Sequence, residues 1–179
     1  MQNSTDAMRN SNFWANLFKP PSEKSDLETV LQSMPPFKDV SSKYLKLLLK
    51  LFHDRFYSAN EYVFFQADPG IGLYIIREGE VQVTQNHEEI KNHELARFVR
   101  GDFFGELALL DNETRSASSM AVKDSHLAVI FKPDLDEFIE KYPKVGIKIL
   151  RGVSEIVATR LRNVNKDFLS LYYKSMENK

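Results

Sequence analysis

The region between Tyr57 and Phe131 most constrains the fold, because short β-forming runs alternate there with turn residues. Runs such as YVFFQ, GLYIIRE, EVQVTQ and HLAVIF are rich in β-branched and aromatic residues, which favour strands. Asp-Pro-Gly, Glu-Gly and Arg-Gly-Asp sequences punctuate them as turns. About eight short strands in roughly 75 residues, with no long helix between them, predict an antiparallel β-roll or jelly-roll barrel.

Amphipathic helices are expected on both sides of the β-region. The run DLETVLQSM begins with the helix-capping Asp26, and SSKYLKLLLKLFHDRF begins at Ser41 or Ser42. After the strands, KPDLDEFIEKY predicts one helix, and a last long helix is expected from about Pro143 to Tyr172. The fold class is therefore α+β, with N-terminal helices, a β-roll and a long C-terminal helix.

We expect three segments in a chain of 179 residues, of which 42% are hydrophobic. Residues 1–25 form a flexible arm, 26–142 the β-roll with its flanking helices, and 143–179 a C-terminal lid or dimerisation helix with a short tail. The FWANLF patch in the arm predicts one amphipathic turn. Its two interpretations are a local cap on the body and a contact for a partner or a membrane.

Charge and composition exclude several functions. The formal net charge is −1, so the chain presents no strong field for a polyanion such as nucleic acid. It has no cysteine, which excludes disulfides, thiolate metal sites and a cysteine nucleophile. No signal peptide and no membrane span are predicted, so the expected location is cytoplasmic.

The last helix carries an apolar heptad pattern with alternating spacings of four and three. Its members are Leu150, Ser154, Val157, Leu161, Val164, Phe168 and Leu171. Such a seam of about three heptads predicts a homodimer, although packing within the chain is the alternative. A second apolar face, formed by Ile149, Val153 and Ile156, is expected to pack on the body.

The stretch FFGELALLDNETRSASS predicts an anion site. Gly105 allows close approach of a ligand, and one helical turn beginning there would aim several amide groups at one point. Arg115 supplies a planar fork for phosphate oxygens. The small residues Ser116, Ala117 and Ser118 leave room and offer further donors.

Glu106 indicates what accompanies the anion. A carboxylate would repel a phosphate, so in the same pocket it must accept hydrogen bonds from hydroxyl groups such as a ribose 2′-OH. A pocket with a carboxylate for the sugar and an arginine for the phosphate is suited to a compact nucleotide. Without ligand, we expect Arg115 to pair with Glu106.

Other chemistry is weakly supported. His87 and His93, with Glu88 and Glu89, lie in a polar loop whose simpler interpretation is a solvated turn, so no metal is predicted. Single residues such as His53 and His126 are expected to be packing or surface residues. The serines near the arginine lack a histidine at a suitable spacing, so no catalytic residue and no enzyme activity are expected.

The run FGELALLDNETRSAS resembles the phosphate-binding cassette of the cyclic nucleotide-binding domain family, and the likeness extends from about Leu27 to Asn165. This family includes bacterial catabolite activator proteins, kinase regulatory subunits and cyclic nucleotide-gated channels. The resemblance implies that Glu106 holds the ribose hydroxyl and that Arg115 holds the cyclic phosphate. It also implies backbone contacts from Gly105, Leu107 and Ala117, with Ser116 beside the phosphate and Leu95, Asn163 and Asn165 as candidates for the base.

Three positions depart from the family pattern. Ala67 replaces a frequent glycine, and Thr114 stands where a proline often precedes the arginine. Ser116 occupies a position associated with reading guanine, yet bacterial relatives that bind cyclic AMP also carry serine there. The expected ligand is therefore cyclic AMP, with cyclic GMP as the alternative, and no further cofactor.

The predicted function is a cyclic nucleotide sensor without catalysis, which signals through its last helix to a dimer partner or an unknown downstream protein. The alternative is a degenerate member of the fold that serves as a protein-interaction module without nucleotide. A transcription regulator would need a helix-turn-helix after the long helix, so direct DNA binding is not expected.

Overall fold

The computed structural model describes residues 24–87 and 90–177. The FWANLF patch, Glu88 and Glu89 lie outside the described residues. The helices are α1 (Lys24–Ser33), α2 (Ser42–Leu48) followed by a 3₁₀ turn (Leu49–Leu51), α3 (Lys132–Lys141) and α4 (Pro143–Glu177). The strands are β1 (Phe52–Tyr57), β2 (Tyr62–Phe64), β3 (Gly72–His87), β4 (Ile90–Val99), β5 (Phe103–Phe104) and β6 (Ser118–Phe131), and a second 3₁₀ turn spans Glu106–Leu109.

The strands form one antiparallel β-roll around two long strands. The order is β1-β6-β3-β4, with β2 also on β6 and β5 also on β3. The β3 strand has 16 residues and β6 has 14, and their pairing register shifts around Glu78. These shifts bend the strands without breaking them. The described residues therefore hold six strands and not about eight, because β3 contains both GLYIIRE and EVQVTQ, and β6 joins HLAVIF to the apolar run before it.

The second predicted helix is too long. Helical structure ends at Leu51, and the last part of SSKYLKLLLKLFHDRF is strand β1, which pairs with β6 from Phe52 opposite Ile130 to Tyr57 opposite Ser125. Pairing with a strand far along the chain outweighs the helical spacing of the apolar residues, a tertiary effect that local pattern does not register. The other predicted helices are present, although α1 begins at Lys24, before the expected cap.

Both faces of β3 are buried over residues 72–77, and both faces of β6 are buried over residues 125–130. Leu73 and Ile75 of β3 pack with the helices, whereas Tyr74 and Ile76 face the interior of the roll. Strand β6 alternates in the same way. A strand buried on both faces needs a continuous apolar run, which explains why these segments do not alternate with polar residues.

Helix α4 has a docked half and a projecting half. Ile149, Val153 and Ile156 are buried against the body, as predicted. Farther along, Leu161, Val164 and Phe168 are 58%, 62% and 64% exposed. Among the helices of the described ranges, none combines the length and apolar character that crossing a membrane requires.

The docked half of α4 depends on Gly152. A Cβ atom there would overlap the backbone of Pro35 and Pro36, between α1 and α2. We expect Gly152→Ala to lower the free energy of unfolding by about 1–3 kcal/mol, measured by urea denaturation, because the clash forces the helix away. Ser154→Ala, at an exposed position of the same helix, should change it by less than about 0.5 kcal/mol.

The opposite sign would contradict this packing. An alanine in an unhindered helix stabilises relative to glycine by about 0.5–1 kcal/mol. A more stable Gly152→Ala protein would therefore show that α4 does not approach the Pro35–Pro36 turn as closely as the structure has it.

Candidate functional site

The candidate site is built around the turn that follows β5. Gly105 has φ +78°, in the left-handed region, and the 3₁₀ turn Glu106–Leu109 follows directly. A Cβ atom on Gly105 would lie 2.7 Å from Nη1 of Arg115. Glycine is therefore required both by the backbone conformation and by the closeness of the arginine. The single helical turn predicted inside the β-region is confirmed.

Arg115 is buried beside this turn, with 6% of its surface exposed. Its Nη2 donates to the carbonyl of Gly72 at 2.9 Å, and its Nη1 donates to the carbonyl of Gly105 at 3.2 Å. The Nε atom is buried without a hydrogen-bond partner. A guanidinium has five N–H donors, so this side chain retains donors for a ligand.

The backbone of Arg115 is held by the loop that follows β2. Its amide donates to the carbonyl of Asp68 at 2.8 Å, and its carbonyl accepts from the amide of Ala67 at 2.9 Å. Ala67 has φ +71°, a left-handed conformation that is unfavourable for alanine. The structure thus retains the backbone conformation that suits glycine in spite of the substitution. Thr114, the second departure, forms an isolated β-bridge with Pro69.

Glu106 is 5% exposed and pairs with Arg160 of α4, not with Arg115. Nη1 of Arg160 lies 2.6 Å from Oε1 of Glu106, and its Nη2 donates to the carbonyl of Phe103 at 3.1 Å. The expected pair between Arg115 and Glu106 is therefore wrong. The two carbonyl groups already hold Arg115, and α4 supplies a different cation to the carboxylate.

Arg160 is the site residue that the sequence analysis missed. Its guanidinium also lies 5.5 Å from the ring centroid of Phe98 and 5.4 Å from that of Phe103. One signal could have identified it: Arg160 follows Ile156 at the helical spacing that links the residues of the buried face of α4. An arginine that continues an apolar face toward the body needs an acidic or carbonyl partner there.

Burial dominates the electrostatics of the arginine pocket. Desolvation lowers the pKa of Arg115, and the nearby Tyr74 and Glu106 act in the opposite direction. Burial also raises the pKa of the Tyr74 phenol, and Arg115 opposes that shift. Within the described ranges, no carboxylate forms an ion pair with Arg115. A buried cation without an ion-pair partner favours binding of an anion.

The remaining cassette residues differ in what they offer. Leu107 and Ser116 are exposed, while Ala117 and Ser118 are buried. The Ser118 hydroxyl accepts from the amide of Gln66 at 2.9 Å, and the carbonyl of Ser116 accepts from the side chain of Gln85 at 3.0 Å. The Ser118 hydroxyl is therefore already used in a hydrogen bond within the β-roll.

The three candidates for the base are exposed side chains. Leu95 is an exposed residue of β4. Asn163 and Asn165 are exposed on α4 beyond Arg160, and in the described part of the chain neither side chain has a hydrogen bond to the turn. Their role in binding the base remains a prediction.

The histidines lie in an ion-paired or an exposed environment. Buried His126 lies 2.6 Å from Oδ1 of Asp54, which also accepts from Arg77 at 2.8 Å. Hydrogen bonding from His126, aided by Arg77, lowers the pKa of Asp54. His87 and His93 are exposed. Within residues 24–87 and 90–177, no group of three His, Asp or Glu side chains is arranged to hold a metal ion.

Taken together, the geometry suits a ligand with one anionic group and adjacent hydroxyl groups. The turn at Gly105 and the guanidinium of Arg115 offer N–H donors suited to an anion, and the carboxylate of Glu106 offers acceptor oxygens beside the ion pair. Binding is the chemistry that these groups support.

Comparisons with known proteins identify the same region. A family model for the cyclic nucleotide-binding domain matches residues 54–142. The cyclic AMP receptor protein of Thermus thermophilus is 30% identical over 149 residues, which cover 83% of this chain and 67% of the receptor. A cGMP-dependent protein kinase of Caenorhabditis elegans is 32% identical over 98 residues, 54% of this chain and 13% of the kinase.

A solved structure shows the same fold. The crystal structure of the Thermus thermophilus catabolite activator protein aligns with a TM-score of 0.68 at 31% identity, over 76% of this chain and 62% of that protein. The chain thus spans about two thirds or less of the length of these proteins. The family match, the similarity to the receptor and the β-roll architecture agree, and the chain belongs to the cyclic nucleotide-binding domain family.

Proposed function

We propose that the protein is a cyclic nucleotide sensor whose ligand is cyclic AMP. The observation that carries this proposal is the buried Arg115 guanidinium, which retains free donors beside the glycine turn and has no carboxylate partner in the described part of the chain. The preference for adenine is supported by the similarity to a cyclic AMP receptor. The similarity to a cGMP-dependent kinase makes cyclic GMP the competing ligand.

In the proposed complex, the cyclic phosphate lies between Arg115 and the amide groups of the cassette. Gly105, Leu107 and Ala117 supply backbone contacts, and Ser116 lies beside the phosphate. The ribose 2′-OH donates to Glu106, whose carboxylate is already oriented by Arg160. Leu95, Asn163 and Asn165 remain the candidates for the base.

The proposed signal leaves the site through α4. Glu106 is the acceptor for the ribose and the partner of Arg160, so ligand binding and the position of α4 share one carboxylate. A ligand shifts a conformational equilibrium only by its differential affinity for the two states. Contact with Glu106 gives the nucleotide such a difference, because the strength of the ion pair depends on where α4 lies.

The projecting half of α4 is the proposed dimerisation segment. Leu161, Val164 and Phe168 expose an apolar stripe at heptad spacing, while Leu150 and Val157 at the start of the seam are half-buried on the body. In the proposed function, residues 26–142 form the ligand-binding body, and residues 143–179 form the lid and dimer segment. No catalytic step is part of the proposal.

The second candidate is an interaction module that keeps the fold without nucleotide. The same exposed stripe on α4 favours it, since an apolar surface of this kind indicates a protein contact. Binding measurements distinguish the two, because only the sensor requires nucleotide.

The first test is calorimetric titration with cyclic AMP and, separately, cyclic GMP. We expect binding in the micromolar range or tighter, with cyclic AMP preferred, and at least tenfold weaker binding for Arg115→Lys, because an ammonium group cannot replace the bidentate fork. Arg115→Leu should abolish binding, and Arg97→Lys, at an exposed position on β4, is the matched control.

Arg115→Lys is a more specific test than Arg115→Leu, because Arg115 also donates to two carbonyl groups and lysine keeps a cationic donor. Unfolding curves must accompany both variants, so that loss of structure is not taken for loss of binding. Unchanged affinity in a folded Arg115→Lys protein would count against the phosphate role. No binding of either nucleotide up to millimolar concentration would favour the interaction module.

The ribose role predicts a selective effect at Glu106. Glu106→Gln should weaken cyclic AMP binding by about 1–3 kcal/mol, the size of a hydrogen bond to a charged group. The loss should largely vanish for 2′-deoxy cyclic AMP, which lacks the hydroxyl. Calorimetry with both ligands checks this, and a deoxy ligand that binds wild-type protein as tightly as its parent would defeat the ribose role.

The seam predicts self-association that responds to ligand. In sedimentation velocity, wild-type protein should dimerise and Phe168→Glu should be monomeric, because a carboxylate would be buried at the centre of the interface. Ser170→Glu, an exposed position outside the seam, adds the same charge and should leave the dimer intact.

The dimer dissociation constant should also change when cyclic AMP is added. In Arg160→Gln that change should be lost, because the helix no longer pairs with Glu106. Ligand-linked dimerisation that survives Arg160→Gln would show that the signal takes another route.

A further inference from the structure

An aromatic ring lies against the buried guanidinium. The Cζ atom of Arg115 is 4.2 Å from the ring centroid of Phe64, the last residue of β2. The ring of Tyr74 is farther, with its centroid 5.6 Å away. Of the two rings, Phe64 is thus the nearer to the cation. The proposed function gives Phe64 no role in ligand binding.

Phe64 is itself held by other rings. Its centroid is 5.7 Å from that of Tyr74 and 5.9 Å from that of Phe104, and those two rings stack on each other at 5.3 Å. Pairing of β2 with β6 places Phe64 opposite Ser119. The ring is therefore partly buried, packs against the interior of the roll and can hold a side chain that lies on it.

The ring and a phosphate would use different parts of the guanidinium. A cation is attracted to the face of an aromatic ring, and the attraction grows when water is excluded. Phosphate oxygens are bound through the N–H groups at the edge of the guanidinium plane. Contact with Phe64 therefore restrains Arg115 without occupying the donors that a ligand needs.

The hydrogen bonds alone leave this restraint incomplete. The carbonyl groups of Gly72 and Gly105 accept from Nη2 and Nη1, whereas Nε is buried without a partner. Torsions of the side chain still allow the guanidinium plane to tilt between these two hydrogen bonds, and a ring close to the group limits that tilt. Restraining a binding group in advance increases affinity by reducing the entropy lost on binding.

We infer that Phe64 is a positioning residue for nucleotide binding, which acts by holding Arg115 in the orientation that receives the cyclic phosphate. This inference rests on the proposed function, because it assigns Phe64 a part in the same site. It adds a residue outside the cassette, from an earlier strand.

The experiment is calorimetric titration of the full chain with cyclic AMP. Phe64→Leu, which removes the ring face but keeps an apolar side chain, should weaken binding about threefold to tenfold. Phe64→Tyr, which restores a ring face, should bind within about twofold of wild type. Phe56→Leu is the control for the loss of a ring, because Phe56 stacks on His126 at 4.3 Å and touches neither arginine of the site.

Double-mutant cycles separate positioning from general destabilisation. The effect of Phe64→Leu should shrink in an Arg115→Lys background, because the group that it positions is gone, and should be additive with Glu106→Gln. If Phe64→Leu does not fold, as judged by its urea unfolding curve, Phe64→Met takes its place with the same expectation.

Three results would overturn the inference. The first is a Phe64→Leu protein that binds cyclic AMP as tightly as wild type, and the second is a Phe64→Tyr protein that binds as weakly as Phe64→Leu. The third is full additivity of Phe64→Leu with Arg115→Lys. Each would show that the ring does not act through Arg115. In all three cases wild-type protein still binds, so the proposed function stands. Wild-type protein that binds no nucleotide would refute the proposed function and this inference with it.

Discussion

Burial of the Arg115 guanidinium is the constraint on which the rest of the site depends. A cation removed from water must be compensated, and here its hydrogen-bond and ring contacts include the carbonyls of Gly72 and Gly105 and the ring of Phe64. The backbone of Arg115 is also hydrogen-bonded to the backbone of Ala67 and Asp68, in the loop after β2. Separate segments of the chain therefore converge on one side chain.

A second constraint joins this pocket to the last helix. Glu106 is buried, and a buried carboxylate needs a cation or donors close by. Arg160 provides the cation from α4. The helix that carries the exposed apolar stripe is thereby fastened to the residue that is proposed to receive the ribose. Coupling between two sites requires a structural element that both influence, and α4 is the element that we propose for this role.

Much of the fold and of the site could be predicted because the signals are local. Turn residues separate the strands, helical periodicity divides α4 into two faces, and Gly105 marks the turn that approaches a ligand. The errors concern long-range contacts. The helical pattern before Phe52 does not reveal that the next residues pair with β6, and two apolar runs do not reveal that they are halves of one bent strand. Pairing partners distant in the sequence decide both.

The sequence by itself determined the chemistry of the site, since a glycine, a carboxylate and a guanidinium have the same capacities in any fold that brings them together. It also determined which face of α4 would be buried, because helical spacing is a property of the local backbone. Only the tertiary structure decided the pairing: Glu106 with Arg160, Arg115 with two carbonyls and Phe64, and Ala67 in a left-handed conformation. These outcomes depend on which distant segments meet, and burial then selects among the available partners by the cost of leaving a charge or a donor unsatisfied.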